Sequence, residues 1–165
     1  MSSKLQHVIQ TLKITFDGEP WYGESLMTKI KSINHDIVND QVEGSNSIAK
    51  LIAHIIQWRI FVIEKLKGNA DFDIKLNTAM DWPDTIIKNK TEWDHLIKKL
   101  LESQQEITDI LSAKDDELLD EIVPGKEYNF HSLIEGIIHH DIYHSGQIGL
   151  IKSRVTQRED YDLYN

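Results

Sequence analysis

The chain has 165 residues, 40% hydrophobic and 27% charged, the composition of one folded domain with a fair core rather than of a disordered segment. Its 18 Lys and Arg face 27 Asp and Glu, a formal net charge of −9, which argues against nucleic acid or an anionic membrane as the main partner. Cysteine is absent, which excludes disulfide scaffolds, thiolate metal sites and cysteine nucleophiles, and fits a reducing, cytoplasmic location.

The opening residues carry no long apolar stretch and no small-residue cleavage site, so no targeting segment is expected. No apolar run approaches the roughly 20 residues of a bilayer crossing. Apolar residues instead recur at helical spacing in four places. The first place spans about Leu5 to Ile37. Val8, Ile9, Leu12 and Phe16 form one stripe and Leu26, Met27, Ile30 and Ile33 another. Gly18 and Pro20 between them predict a break into two helical pieces, because proline disfavours helix at the residue before it.

A second helix is predicted after Ser45-Asn46-Ser47, good capping residues, with Ile48, Leu51, Ile52, Ile55, Ile56, Ile63 and Leu66 inward and Gly68 as the stop. Residues 71–88 read as a long connection holding Trp82-Pro83-Asp84. A third helix is expected near Thr91, where Thr91-x-x-Asp94 has the form of a capping box with the shorter acid. Its stripe runs from Leu96 to Leu111. The acidic residues from Asp115 to Glu121 and Pro124-Gly125 make the next connection. The fourth helix is predicted from about Phe130 to Arg154, with Lys152 and Arg154 in its last turn to suit the helix dipole and a frayed tail from Glu159. Strand-like alternation is nearly absent. The fold expected is an all-α four-helix bundle, a single domain over residues 1–165, with room for a crossover connection.

The chemistry concentrates in His139-His140-Asp141-Ile142-Tyr143-His144-Ser145-Gly146-Gln147. His140 and His144 are four apart, one turn along a single helix face and close enough for one metal ion. Gly136, on the same stripe, removes a side chain where a ligand or a helix could approach; Gln147 could bond a ligating histidine. His54, among core residues of the second helix, is the best third ligand, since a buried imidazole needs a partner. Its plainer reading is a hydrogen-bonded core residue. Three neutral imidazoles would leave a divalent ion with open positions, the pattern of a catalytic site, and zinc and nickel both suit nitrogen donors. His139 lies about 100° round the helix from His140 and reads as packing or as support for the ligands. His7, His35, His95 and His131 read as surface or cap residues.

Other metal patterns fit less well. His140-Asp141-x-x-His144 has the outline of a zincin motif with Asp for the catalytic Glu, a methylene short in reach. Only Glu92-x-x-His95 matches the paired motif of a di-iron bundle, which needs two. No glycine-rich phosphate loop is present.

The sequence resembles the DinB/YfiT-like superfamily of metal-binding four-helix bundles. The resemblance rests on Ser47 through Arg59, on Asp81-Trp82-Pro83, on Trp93, and on Ile137 through Ile148 with its Tyr143-His144-x-Gly146-Gln147-Ile148. It implies a metal site at His54, His140 and His144, a crossover between helices two and three, and a homodimer. Tyr143, Gln147 and Asp141 are the candidate supporting residues around the ligands. Some relatives use a low-molecular-weight thiol such as bacillithiol, mycothiol or glutathione, so the resemblance implies a metal-dependent transferase joining such a thiol to a small electrophilic substrate. The sulfur would have to come from outside the chain, with Trp58 and Trp82 as pocket walls. Two other readings stand beside it: a metal-dependent hydrolase of a small molecule with Asp141 as base, and a non-catalytic metal-binding stress-response protein.

Overall fold

A computed structural model describes residues 3–163. Among the described residues there are five α-helices and no β-strand: α1 (Lys4–Asp17), α2 (Leu26–Lys31), α3 (Ile48–Leu66), α4 (Lys90–Ser112) and α5 (Phe130–Leu163), with 3-10 turns at His35–Ile37 and Asp116–Asp120. The expected break falls between α1 and α2. Four helices form the bundle: α1 and α3 each pack against both α4 and α5, and the short α2 lies against α1 and α5.

Local chemistry sets the helix ends. Ser3, Ser25 and Ser47 cap α1, α2 and α3 by accepting from Gln6, Thr28 and Lys50 backbone N–H groups. Asp116 reaches from the 3-10 turn to accept from Lys4 and Leu5 N–H at 3.0 and 2.9 Å, and these bonds hold its carboxyl below the usual range. The helix α4 starts one residue earlier than Thr91. Its cap is Asn89, which accepts from Glu92 N–H, while Glu92 accepts from Lys88 N–H. The box is therefore built on Asn89 and Glu92, not on Thr91 and Asp94.

The last helix departs most from expectation. Its backbone stays helical through Leu163, beyond Arg154 and through most of the tail expected to fray; Tyr164 and Asn165 lie outside the described residues. Lys152 and Arg154 thus lie within the helix rather than in its last turn, and Lys152 donates at 2.7 Å to Ser32 Oγ, at the C-terminal end of α2, instead of facing the end of its own helix.

The connection over residues 67–89 has the length a crossover needs and is stitched down along its course. Lys65 Nζ donates to the carbonyls of Asn69 and Ala70. Ile74 and Ile87 are buried, and Asn39 exchanges two hydrogen bonds with the backbone of Ile87. Gly125, at φ 75°, passes so close that a Cβ would sit 2.6 Å from the Ala70 carbonyl oxygen, a position only glycine fits.

The core is two apolar clusters. One gathers Leu5 to Leu12, Phe61 to Leu66, Ile107, Leu111 and Phe130 to Ile138; the other gathers Phe16, α2, Ile48 to Ile56, Trp93, Leu100 and Ile148 to Val155. Each bundle helix crosses from one cluster to the other at a polar step. Thr15, Arg59, Ser103, Gln104, Asp141, His144 and Ser145 are all buried at that level. Burying so many polar groups costs free energy unless they are paired, so the layer calls for a reason, and His144 within it is one of three histidines that meet there.

Candidate metal centre

His54 comes from the middle of α3, and His140 and His144 from successive turns of α5. Their ligand nitrogens all lie within 4.8 Å of one another. His140 Nε2 is 3.0 Å from His54 Nε2 and 3.1 Å from His144 Nε2. The tautomers follow from the partners on the far side of two rings. His54 Nδ1 is 2.7 Å from the Asp81 carbonyl oxygen, which only accepts, so Nδ1 carries the proton and Nε2 a lone pair. His144 Nδ1 donates to Gln147 Oε1 at 2.6 Å, which leaves its Nε2 as a lone pair too.

His140 cannot satisfy both neighbours. A hydrogen on its Nε2 serves one contact well and leaves the other as lone pair against lone pair; its Nδ1 is buried without a partner. Protonating a second ring is not available at neutral pH. Burial, followed by the neighbouring His144, His54 and Arg59 charges, pushes His140 down to about 3. Burial also lowers His54, against the opposing pull of Asp81, and lowers His144, against its bond to Gln147. A divalent cation among the three nitrogens removes the conflict. Two donors each about 2.0–2.1 Å from one ion can be as far as about 4.2 Å apart, so the two close contacts fit a shared ion. The donor set therefore suits a borderline metal that favours imidazole.

The crossover segment holds His54 in place. Trp82 stacks on the His54 ring, centroids 3.7 Å apart and planes 5° from parallel. The Asp81 carboxylate also approaches His54 Nδ1, at 3.2 Å, and accepts from Trp58 Nε1 at 3.0 Å and Asn77 N–H at 2.9 Å. On α5, Gln147 Nε2 donates to Tyr143 Oη at 3.2 Å, giving a chain from Tyr143 through Gln147 to His144. Tyr143 itself is exposed.

Asp141 sits elsewhere than the sequence suggested. It is buried, and its Oδ2 accepts from Arg59 Nη2 at 2.6 Å and Nε at 3.1 Å. No hydrogen bond joins it to any of the three histidines, because it is turned about 100° from His140 around the helix. Burial pushes its carboxyl up while Arg59 opposes the shift. Arg59, fully buried, also donates through Nη1 to Gln104 Oε1 at 2.8 Å and lies 4.6 Å over the Phe16 ring. His139 is exposed and belongs to neither packing nor the ligand cluster. His7, His95 and His131 are exposed and His35 is partly so, as expected. Of the tryptophans, Trp93 is core, Trp21 is fully exposed, and Trp58 and Trp82 border the histidines.

An open-mouthed cavity of about 490 Å³ adjoins the cluster on one side, lined by Trp58, Phe61 and Val62 of α3 and by Gly136, Ile137 and His140 of α5 among others. Gly136 approaches no helix: a Cβ there would meet nothing within 4 Å.

A helical bundle with three histidines converging from two of its helices defines a candidate metal-binding protein. The profile of the DinB superfamily matches residues 24–148, which include all three histidines, and the chain belongs to that superfamily. A comparison with curated proteins found no match. No helix among the described residues is long and apolar enough to cross a membrane.

Proposed function

We propose that the protein is a metal-dependent enzyme in which His54, His140 and His144 hold one divalent ion, zinc or nickel, and that it joins a low-molecular-weight thiol to a small electrophile. The observation that carries this reading is the meeting of three imidazole nitrogens whose lone pairs have no other partner. When bound, the ion supplies positive charge that lowers the pKa of a thiol at an open position. The chain's own residues do the rest. The Asp81 carbonyl and Gln147 keep the protons of His54 and His144 on the nitrogens facing away from the ion. Trp82 covers one face of His54 and leaves no space there for water. In the reaction the sulfur forms a bond to the electrophilic carbon, the leaving group departs with its electron pair, and the thiol proton passes to solvent. Since the chain has no cysteine, the thiol is a cosubstrate.

Hydrolysis with Asp141 as base draws no support from its position, because Arg59 already engages that carboxylate. We further propose one domain acting as a homodimer in the cytoplasm. Tyr143 and Leu150, exposed seven residues apart on α5, offer an apolar face for a second copy. The test of function is to incubate metal-loaded protein with bacillithiol, mycothiol or glutathione and a chromogenic electrophile. Acceleration that disappears in the triple variant His54→Ala/His140→Ala/His144→Ala supports transfer. Turnover that survives removal of all thiol points to hydrolysis. Loss of melting temperature on chelation with no turnover of any kind points to a metal-binding protein without catalysis.

A further inference from the structure

We propose that the cavity between α3 and α5 takes the apolar body of a small, uncharged substrate and sets its reactive end against His140. The proposal rests on reading the histidine cluster as an active site. None of the residues that line the cavity is Asp, Glu, Lys or Arg. Its few polar groups are largely committed: Trp58 Nε1 donates to Asp81, and Ser132 Oγ donates to Asn129 Oδ1 at 2.9 Å. Two cations, Lys65 and Lys126, each lie 5.4 Å from the Phe61 ring centroid; Lys65 is held by the carbonyls of Asn69 and Ala70, and Lys126 by both oxygens of Asp73. A charged ligand entering here would lose its hydration with nothing to replace it. An aromatic or branched alkyl group would meet Trp58, Phe61, Leu133 and Ile137. A thiol cosubstrate bearing several charges would therefore approach from another side, which leaves this cavity to the electrophile.

Gly136 is the second observation. Glycine is the poorest helix former after proline, and it stands in the interior of α5. Neither of the usual reasons applies: its φ is not in the left-handed region, and no neighbour comes within 4 Å of a Cβ built there. It lies one turn before His140 and lines the cavity. What the missing side chain preserves is space beside the ligand cluster. A Leu at 136 fits the helix and fills that space.

The probe is N-phenyl-1-naphthylamine, a neutral apolar fluorophore, titrated into the full chain, with its sulfonated analogue 1-anilinonaphthalene-8-sulfonate as the charged comparison. We expect saturable 1:1 binding of the neutral probe and binding of the sulfonate weaker by at least about tenfold. Gly136→Leu should lose saturable binding while keeping the metal content of the wild type by elemental analysis, and its thermal melt should be unchanged or raised. Unaltered probe binding in Gly136→Leu, or equal affinity for the two probes, overturns the proposal. Metal content separates the two readings. Metal-free protein whose probe binding still depends on residue 136 would sink the metal-enzyme reading and spare the cavity; metal-loaded protein indifferent to that substitution would do the reverse.

Discussion

Replacing Arg59 with Met tests how the bundle carries charge through its core. Arg59 is fully buried, and its guanidinium donates twice to Asp141 Oδ2, whose Oδ1 is buried without a partner, and once to Gln104. Methionine matches the stem but strands a buried carboxylate and an amide oxygen. Breaking a buried ion pair from one side costs about 3–5 kcal/mol, and an orphaned buried acceptor adds about 1 kcal/mol or more. Against a total stability of about 5–15 kcal/mol the variant should be severely weakened. Removing both charges is a different perturbation. The double variant Arg59→Met/Asp141→Leu removes both members of the pair and leaves neither charge stranded, and apolar replacement of a buried pair is often neutral or better, so it should lie within about 2 kcal/mol of the wild type. Equilibrium urea unfolding followed by circular dichroism, on all members of the cycle including Asp141→Leu, gives the coupling directly. The expected coupling exceeds about 2 kcal/mol with the double variant more stable than Arg59→Met. A cost below about 1 kcal/mol for Arg59→Met, or a double variant as unstable as the sum of the singles, would refute the reasoning.

Other consequences follow from the same geometry. The lowered imidazoles make metal-free protein acid-sensitive. Below about pH 6.5 the unfolded chain binds protons that folded His140, held down to about 3, does not, so stability present at neutral pH falls as pH falls. His140 alone should cost about 2 kcal/mol by pH 5, read as the difference between wild-type and His140→Leu urea profiles at pH 7 and pH 5; parallel profiles would contradict it. Gln147→Leu removes the acceptor on His144 and should weaken metal binding about 10- to 100-fold in competition with a chromophoric chelator, with unchanged affinity as the contrary result. Metal binding should change tryptophan fluorescence chiefly through Trp82, stacked on His54. Trp82→Phe should remove most of that change, and a response that persists undiminished would place the reporter elsewhere.

Periodicity made most of the helical architecture legible. The stripes on Val8 to Phe16, Ile48 to Leu66 and Leu133 to Ile151 correspond to buried faces in the structure. Ends read less well where the deciding group is distant or ordinary. Asn89 precedes a Lys-Thr pair that hides it as a cap, and no breaker stops α5 after Arg154. Within the site, the i,i+4 spacing and the isolated core histidine were local signals, and they converge. The partner of Asp141 was not visible locally, since Arg59 is 82 positions away. A signal did exist: Arg59 and Asp141 each interrupt an apolar stripe with a charge, and opposite charges on two inward faces satisfy each other best. Asp81 was harder to read, because its backbone carbonyl makes the closer contact to His54, 2.7 Å against 3.2 Å for the carboxylate. Residues in a long connection give no periodicity from which such an orientation can be read.

Elemental analysis of untagged protein, beside His54→Ala purified the same way, is the most direct trial of the shared-ion account. About one divalent ion per chain in the wild type, reduced to a small fraction in the variant although both α5 histidines remain, is the predicted result. Equal metal in both proteins, or none in either after incubation with zinc and with nickel, would mean that the three rings meet for some purpose other than holding a cation.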